Sequence, residues 1–273
     1  MKVIRVFPRQ TCATPVDELV AINRPPDWFD EADEVHVSCS WTWDIPVAER
    51  LAKEWAAVAS VSVGGPAYGD RSDGFEPGMY VKKGYTITSR GCPNRCWFCS
   101  VWRREGELRE LKVKDGWNVL DDNLLACSDR HIMEVFDMLA RQPEKPQFTG
   151  GLEAKRLLLW HADEMRRIKT KQAFFAYDTP DDYDPLVEAG KTMIAAGFTL
   201  ASHALRCYVL CGYPGDTTEK AEGRMRQTID AGFTPMAMAL RNETGDLTED
   251  WHRFQREWAR PAIIHRSTVE KGK

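Results

Sequence analysis

Three cysteines, Cys92, Cys96 and Cys99, lie close together in this 273-residue chain. Their C-x3-C-x2-C spacing falls in a loop after the apolar stretch Tyr85 to Ser89, which we expect to form a strand. Thiolates are soft ligands, so this grouping favours an iron–sulfur cluster or zinc over hard cations. Structural metal sites normally have four protein ligands, whereas reactive sites leave one position open. The loop is therefore interpreted as holding a cubane cluster with one iron available to a small molecule.

The same cysteines could instead bind zinc, with Cys127 or His131 as a distant fourth ligand. That arrangement would indicate a zinc-stabilised binding module without catalysis, which is a different class of protein. The zinc hypothesis leaves the pattern of strands and helices around the loop unexplained, so the cluster is the preferred interpretation.

Composition and charge limit the kind of protein this is. Hydrophobic residues make up 43% of the chain and include ten Trp, so we expect a substantial buried core. The net charge of −4 comes without a long block of like charge, so no polyelectrolyte footprint for nucleic acid is visible. The start of the chain lacks the apolar run of a signal peptide, and no stretch approaches a membrane span. A cytoplasmic protein with no membrane partner is therefore expected, and the clustered cysteines suit a reducing compartment.

Residues 1–75 are predicted to form a small α/β unit. The order strand–helix–strand implies a parallel pair of strands. The segment from Ala67 to Lys83, rich in Gly, Pro and Asp, is the predicted linker. The predicted strands are Val3–Phe7, Val35–Trp41 and Ser60–Val63, and the predicted helix is Pro46–Val58.

Strands and helices alternate from residue 84 to residue 240. Six βα units in sequence predict a parallel partial barrel, (β/α)6, or a curved open sheet. The predicted strands are Tyr85–Ser89, Trp117–Asp121, Pro146–Thr149, Ala173–Tyr177, Arg206–Cys211 and Thr234–Ala239. The predicted helices are Arg130–Arg141, Glu153–Ile168, Pro185–Ala196 and Thr217–Ala231, with partial helix in Ser100–Lys114.

Polar and glycine-rich residues follow these strands, at the edge of a parallel sheet where ligands bind. Four such segments come after the cysteine loop: Asp121-Asp122-Asn123, Thr149-Gly150-Gly151, Asp178 to Asp181, and Gly212 to Asp216. Five consecutive strand ends are therefore expected to face one site. Structural alternatives remain open, since Asp121 or Asp122 could cap a helix, Asp178 could form an Asx-turn into Pro180, and the two glycines could serve only as a turn.

Residues 241–273 are predicted to form a helical tail. Trp251, Phe254 and Trp258 fall on one helical face, which we interpret as core rather than a stacking platform for bases. We expect this helix to cover an open edge of the sheet and to end at Pro261, with the last residues frayed.

The cysteine motif resembles that of the radical S-adenosylmethionine (radical SAM) superfamily. Phe98 matches the aromatic position before the last cysteine, and the turn Gly-Tyr-Pro-Gly-Asp-Thr from Gly212 adds to the likeness. The resemblance covers about residues 84–240. It implies a radical-SAM-type partial (β/α)6 barrel, preceded here by the small α/β unit.

The resemblance also implies the cofactors and the chemistry. Three thiolates would hold a [4Fe-4S] cluster whose fourth iron is chelated by S-adenosyl-L-methionine (SAM). Reductive cleavage of SAM would give methionine and a 5′-deoxyadenosyl radical that abstracts hydrogen from a substrate. The substrate is unidentified and could be a small molecule, a nucleoside or a peptide. A reducing partner such as flavodoxin or ferredoxin is implied.

The family's SAM-binding positions map onto several residues here. Asp121, Asp122 and Asn123 occupy the place of the Gly-Gly-Glu motif that binds the amino group; the glycines are missing, but a carboxylate can still accept from an ammonium. Asp178 is placed to accept from the ribose hydroxyls. The segment Val209–Pro214, with Val209 and Gly212, resembles the part that packs against adenine.

Residues 1–75 resemble, more faintly, a truncated cobalamin-binding domain, through Val35–Trp43 and Val61–Pro66. The Asp-x-His-x-x-Gly motif that would supply a cobalt ligand is missing, so bound cobalamin is not expected. A cobalamin-dependent radical SAM methyltransferase is the alternative function. Cys207 and Cys211 share one strand face and are interpreted as buried core residues, the alternative being a reactive pair.

Overall fold

Parallel sheets organise the chain, which confirms the predicted α/β class. The structure, a computed structural model, describes residues 1–71 and 74–259. Two compact units emerge, one of Met1–Gly116 with Glu243–Gly245, and one of Trp117–Asn242 with the chain from Asp246. The predicted domains 1–75, 84–240 and 241–273 stay predictions.

The first unit is built on a four-stranded parallel sheet. Its strands are β1 (Val3–Phe7), β2 (Val20–Ile22), β3 (Glu34–Ser38) and β4 (Ser60–Gly64), in the order β2-β1-β3-β4, and the helix α1 covers Ile45–Trp55. The bounds predicted for β1 are confirmed to the residue, whereas the short strand β2 was not predicted. Val6, Val35, Leu51 and Trp55 are buried together, so β-branched strand residues and the apolar face of α1 form one core.

The rest of the first unit contains only short elements: β5 (Tyr85–Thr86), β6 (Ser89–Arg90), α2 (Val101–Arg104) and β7 (Arg109–Glu110). The prediction of one continuous strand over Tyr85–Ser89 is wrong. The chain there forms two strands, because β6 turns aside to pair antiparallel with β7. The Thr86 hydroxyl donates to the Lys114 carbonyl at 2.8 Å, and the Leu111 N–H donates to the Thr88 carbonyl at 2.8 Å.

The second unit contributes five parallel strands that lie side by side in chain order. They are β8 (Asn118–Val119), β9 (Gln147–Leu152), β10 (Gln172–Tyr177), β11 (Leu205–Cys211) and β12 (Thr234–Ala239). The helices are α3 (Asp129–Ala140), α4 (Leu159–Arg167), α5 (Tyr183–Ala195) and α6 (Thr218–Asp230). The predicted helix Glu153–Ile168 is shorter than expected, since a 3-10 turn over Ala154–Arg156 precedes α4.

One strand-end prediction in this unit is wrong. Gly150 and Gly151 do not form a turn after β9 but lie inside it, since β9 runs from Gln147 to Leu152. The register between β9 and β10 shifts along this stretch, as in a β-bulge. Glycines inside a strand often mark such an irregularity, which is the physical reason for the difference.

The two faces of this sheet differ in chemistry. On β10 the side chains facing the helices are buried: Phe175 packs on Phe233 with ring centroids 5.1 Å apart, and the Tyr177 hydroxyl donates to Gln227 of α6 at 2.8 Å. On the other face the rings of Phe174 and Tyr208 stack at 4.5 Å. Alternation along the strands therefore separates an apolar core face from a face of aromatic and polar groups.

The helix α7 (Glu249–Trp258) packs against β12, which ends the order of strands in this unit. Phe254 and Trp258 are buried, which confirms their interpretation as core, and Trp251 is half-buried. The predicted helix end at Pro261 and the predicted frayed residues lie outside the described residues. Within the described ranges, no helix is both long enough and apolar enough to cross a membrane.

Two helical glycines differ in what surrounds them. Gly190 of α5 lies so close to the chain before β12 that a β-carbon there would collide with the Ala231 carbonyl oxygen. That β-carbon would also lie 3.2 Å from the Phe233 ring. Gly223 of α6 is exposed, and a β-carbon there would meet no atom within 4 Å.

We expect Gly190→Ala to lower the free energy of unfolding by about 1–3 kcal/mol, because overpacking outweighs the gain in helix propensity. Gly223→Ala is the matched control and should raise it by about 0.5–1 kcal/mol. Urea unfolding of both variants measures the difference. Equal effects would show that α5 and the chain before β12 are not in tight contact.

Candidate functional site

The cysteine loop leaves β6 at Arg90 and returns to β7 at Arg109, so the β6–β7 ladder holds its two ends together. Within the loop, the Cys96 carbonyl accepts two hydrogen bonds, from the Cys99 N–H at 3.2 Å and from the Trp102 indole N–H at 3.0 Å. Phe98 is half-buried and meets Trp97 edge to face, with ring centroids 5.4 Å apart. The residues of the motif therefore contact one another and form a compact loop.

A buried carboxylate anchors this loop. The Glu105 side chain is completely buried and forms ion pairs with Arg104 and Arg109, each at 3.1 Å. Arg109 also donates to the Glu105 carbonyl. A buried carboxylate is tolerated only when it is paired and hydrogen-bonded, so Glu105 fixes the end of α2 against β7. Arg104 is therefore engaged inside the loop rather than simply solvated.

The three loop cysteines are reduced, half-buried thiols. Throughout the described part of the chain, no group of three or more His, Cys, Asp or Glu side chains is gathered in a way that could hold a metal ion. The donor set itself suits a soft metal, because three thiols lie on one short loop with fixed ends. The three cysteines fit a soft metal in the type of their ligand atoms and in their spacing along the chain. Metal binding would have to bring the three sulfur atoms closer together.

The segment after β8 is packed against β9. Asp121 and Asn123 are buried and Asp122 is half-buried. Gly150 of β9 approaches so closely that a β-carbon there would collide with the Asp121 carbonyl oxygen. Ser128, not Asp121 or Asp122, caps α3, since its hydroxyl accepts from the His131 N–H.

A charged network extends this packing at the end of β9. The Asn123 amide donates to the Glu153 carboxylate at 2.6 Å. Glu153 also pairs with Arg156 at 2.6 Å and with Lys155 at 2.8 Å. The ends of β8 and β9 are thus joined by side chains as well as by backbone, and Glu153 gave no recognisable signal in the sequence.

Two carboxyl groups with different roles follow β10. The Asp182 carboxylate accepts from the N–H groups of Asp178 and Thr179, at 3.1 and 2.8 Å, and from the Thr179 hydroxyl at 3.0 Å. Asp182 therefore shapes the turn that the sequence assigned, as an alternative, to Asp178. The Thr179-x-x-Asp182 spacing is that of a capping box, so this role was legible in the sequence.

The Asp178 carboxyl differs from an ordinary carboxyl in its pKa. Burial raises its pKa from the ordinary value to about 7, and the neighbouring charge of Asp182 adds to the rise. A hydrogen bond from the Leu210 backbone opposes the rise. Near neutral pH this group therefore exists both as a hydrogen-bond acceptor and as a donor, which is typical of functional carboxyls.

The turn after β11 is fixed by an ion pair. The Gly212 N–H donates to the Asp216 carboxylate at 2.9 Å, and Arg224 of α6 pairs with Asp216 at 2.7 Å. Gly212 has a positive φ of 73°, and the Trp251 indole would lie 3.2 Å from a β-carbon at this position. A glycine is thus required both by the backbone and by Trp251, a residue that the sequence placed only in the core.

The remaining predicted positions on β11 are core residues. Cys207, Val209 and Cys211 are completely buried. Burial raises the pKa of the Cys207 thiol well above its usual value and that of Cys211 to about 12. Both thiols are therefore neutral and inert at physiological pH, which confirms their interpretation as buried core. The Val209 side chain likewise belongs to the core.

Of the predicted strand-end residues in the second unit, Asp121 lies against Gly150, whereas Asn123 is bonded to Glu153 and Asp178 to the Leu210 backbone. The cysteine loop belongs to the first unit.

Compared with models of known protein families and with curated proteins, the chain matches neither.

We expect Glu105→Gln to lower the free energy of unfolding by about 2–3 kcal/mol, because two arginines lose their buried partner. The loop thiols should react faster with a thiol reagent in the same variant. Glu107→Gln, at an exposed position two residues away, is the matched control, with a change below about 0.5 kcal/mol. If the two variants are equally stable, Glu105 is not the anchor of the loop.

The pKa of Asp178 predicts a pH-dependent contribution to stability. An unfolded Asp ionises near pH 3.9, so between about pH 4 and pH 7 the folded chain holds more protons at this group than the unfolded chain. The stabilisation of the folded state by this group therefore falls as the pH rises through that window. Asp178→Asn should remove this pH dependence. Its free energy of unfolding should exceed that of the wild type increasingly as the pH rises, by about 1 kcal/mol or more at pH 8.

Urea unfolding at pH 5, 6, 7 and 8 measures this difference. Asp181→Asn, at the exposed position three residues along, is the control and should run parallel to the wild type. A carboxyl resonance of Asp178 that titrates near pH 4 would contradict the raised pKa.

Proposed function

We propose that this protein is a radical SAM enzyme that reductively cleaves S-adenosyl-L-methionine at a [4Fe-4S] cluster held by Cys92, Cys96 and Cys99. The observation that carries the proposal is the C-x3-C-x2-C spacing of three half-buried cysteines on one anchored loop. Zinc would need a fourth protein ligand. The two candidates, Cys127 and His131, are both buried.

The second unit supports the proposed radical SAM core. Five parallel strands follow one another in chain order, and their carboxyl ends carry the polar residues that the resemblance implies. We take the core to be a partial (β/α)6 barrel over about residues 84–240, with residues 1–75 as a preceding α/β unit. Ligands bind at the carboxyl ends of strands in such sheets, which is where Asp121, Asp178 and Gly212 lie.

When bound, the cluster and SAM supply a 5′-deoxyadenosyl radical that takes hydrogen from the substrate. The protein supplies ligands, position and charge. The thiols of the loop must lose their protons to bind iron, and the Glu105 ion pairs hold the loop that carries them. Asp121 or Asp122 would accept from the ammonium of SAM. Asp178 would exchange hydrogen bonds with the ribose hydroxyls, and the Trp251 ring beside Gly212 would offer a flat wall to adenine.

The partners follow from this chemistry. The electron donor would be a small redox protein such as flavodoxin or ferredoxin, and the hydrogen donor a small molecule, a nucleoside or a peptide. Half-buried reduced cysteines persist in a reducing compartment, which supports a cytoplasmic location. Cobalamin is not part of the proposal, because the first unit lacks the motif for a cobalt ligand.

Anaerobic reconstitution with iron and sulfide tests the function. The wild type should take up about four irons per chain and release 5′-deoxyadenosine from SAM under reduction. Cys96→Ala should lose this activity by at least about 100-fold, because an iron loses its ligand. Cys12→Ala is the matched control, since Cys12 is an exposed free thiol outside the loop, and it should behave like the wild type.

Stoichiometric zinc without iron, or equal activity in Cys96→Ala and Cys12→Ala, would overturn the proposal. The first of these results would instead support the zinc-stabilised binding module.

A further inference from the structure

The four-stranded sheet of the first unit has its own crevice. The strand order β2-β1-β3-β4 means that the chain leaves β1 toward one side of the sheet and returns to build β3 on the other side. The connections after β1 and β3 therefore diverge at the carboxyl ends of these two strands. Such a switch point is where parallel α/β sheets bind ligands.

A cavity of about 80 Å³ opens at this switch point. Phe7, the last residue of β1, and Ser38, the last residue of β3, both line it. A cavity of about 150 Å³ accommodates benzene, so this one has room for a smaller group. The position of the cavity and the topology of the sheet are independent observations that point to the same place.

A fixed arginine borders the cavity. Arg9 donates from Nε and from Nη2 to the two carboxylate oxygens of Asp44, each at 2.6 Å. The Asp44 side chain is almost completely buried, whereas the Arg9 side chain is 54% exposed. Nη1 of Arg9 makes no hydrogen bond to any of the residues that the structure describes. The guanidinium is therefore held in one orientation with donors left over, which is the arrangement of an arginine positioned for an anion.

The rest of the lining supplies more donors, and the described residues add no second acid to it. Ser38 and Ser40 line the cavity, as do Trp41, which precedes the 3-10 turn before α1, and Asp44, which ends that turn. Asp44, the one carboxylate among the described residues of the lining, is already paired with Arg9. A donor-rich lining of this kind selects an oxyanion over a cation.

An aromatic surface adjoins these donors. Trp41 stacks on Trp43 with ring centroids 5.1 Å apart and an interplanar angle of 9°, and Trp41 remains 45% exposed beside the cavity. Trp43 in turn lies against Gly245, where a β-carbon would be 2.6 Å from its ring. The contact with Gly245 therefore holds Trp43 in place, and part of the Trp41 ring remains exposed for a planar group to stack on.

We propose that this crevice is a binding site for a small organic phosphate with a planar ring, such as a nucleoside monophosphate. The phosphoryl group occupies the cavity, where Arg9 and the hydroxyls of Ser38 and Ser40 donate to its three oxygens. The ring stacks on Trp41 outside the cavity, which is too small to hold it. A phosphoryl group matches donors from several directions better than a carboxylate, which has two oxygens. The site is separate from the radical SAM function and does not depend on it.

Calorimetric titration of the full chain with inorganic phosphate, AMP and adenosine tests the site. AMP should bind at least tenfold more tightly than either inorganic phosphate or adenosine, because only AMP uses both the cavity and Trp41. Arg9→Lys should weaken AMP at least tenfold while keeping a positive charge beside Asp44, so that the fold is preserved. Trp41→Ala should abolish the advantage of AMP over inorganic phosphate and leave phosphate binding unchanged.

Arg24→Lys is the matched control. Arg24 pairs with Asp30 through two hydrogen bonds in the same unit but does not line the cavity, so this variant should bind AMP like the wild type. Ser38→Ala leaves the Arg9–Asp44 pair intact and should weaken the binding of both phosphate and AMP.

Equal binding of AMP and adenosine, no binding of AMP, or AMP affinity unchanged in both Arg9→Lys and Trp41→Ala would each overturn the proposal. Excess SAM should leave AMP binding unchanged, and competition by SAM would overturn the assignment of a separate site.

Discussion

Parallel pairing of neighbouring strands is the constraint on which both units depend. Parallel strands need a crossover between them, and the helices that make these crossovers, α1 in the first unit and α3 to α6 in the second, bury one face of each sheet. The same pairing brings the carboxyl ends of the strands to one edge. The first unit uses that edge for the crevice beside Arg9, and the second for the residues around Asp121, Asp178 and Gly212.

The regular part of the fold could be predicted from the sequence because it is periodic. The strands β1 and β12 have the bounds predicted for them, and α3, α5 and α6 differ from their predicted bounds by only one or two residues. Elements of two or three residues, such as β2 and β7, carry no period and were missed. The glycines of β9 were misassigned because a glycine pair looks the same in a turn and in a bulged strand.

The candidate site, too, could be predicted only where its pattern is local in the sequence. The cysteine spacing is local, so the sequence shows it directly. The role of Asp182 is local too, since the Thr179-x-x-Asp182 spacing indicates it. The roles of Glu105 and Asp178 are not local: Glu105 is buried and paired with two arginines, and the pKa of Asp178 is raised to about 7. Residue type does not separate these two, because burial and neighbouring charge are set by the tertiary fold. The approach of Trp251 to Gly212 likewise depends on how α7 packs, so the sequence indicated only a core position for Trp251.

The eight cysteines fall into two populations that differ in their access to solvent. Cys12 and the three loop thiols are exposed or half-buried, whereas Cys39, Cys127, Cys207 and Cys211 are buried in the cores of the two units. Oxidants in solution therefore reach the loop long before they reach the cores. Oxidation of the loop would therefore leave the sheets folded, so the loop thiols could be reduced again without passing through the unfolded state.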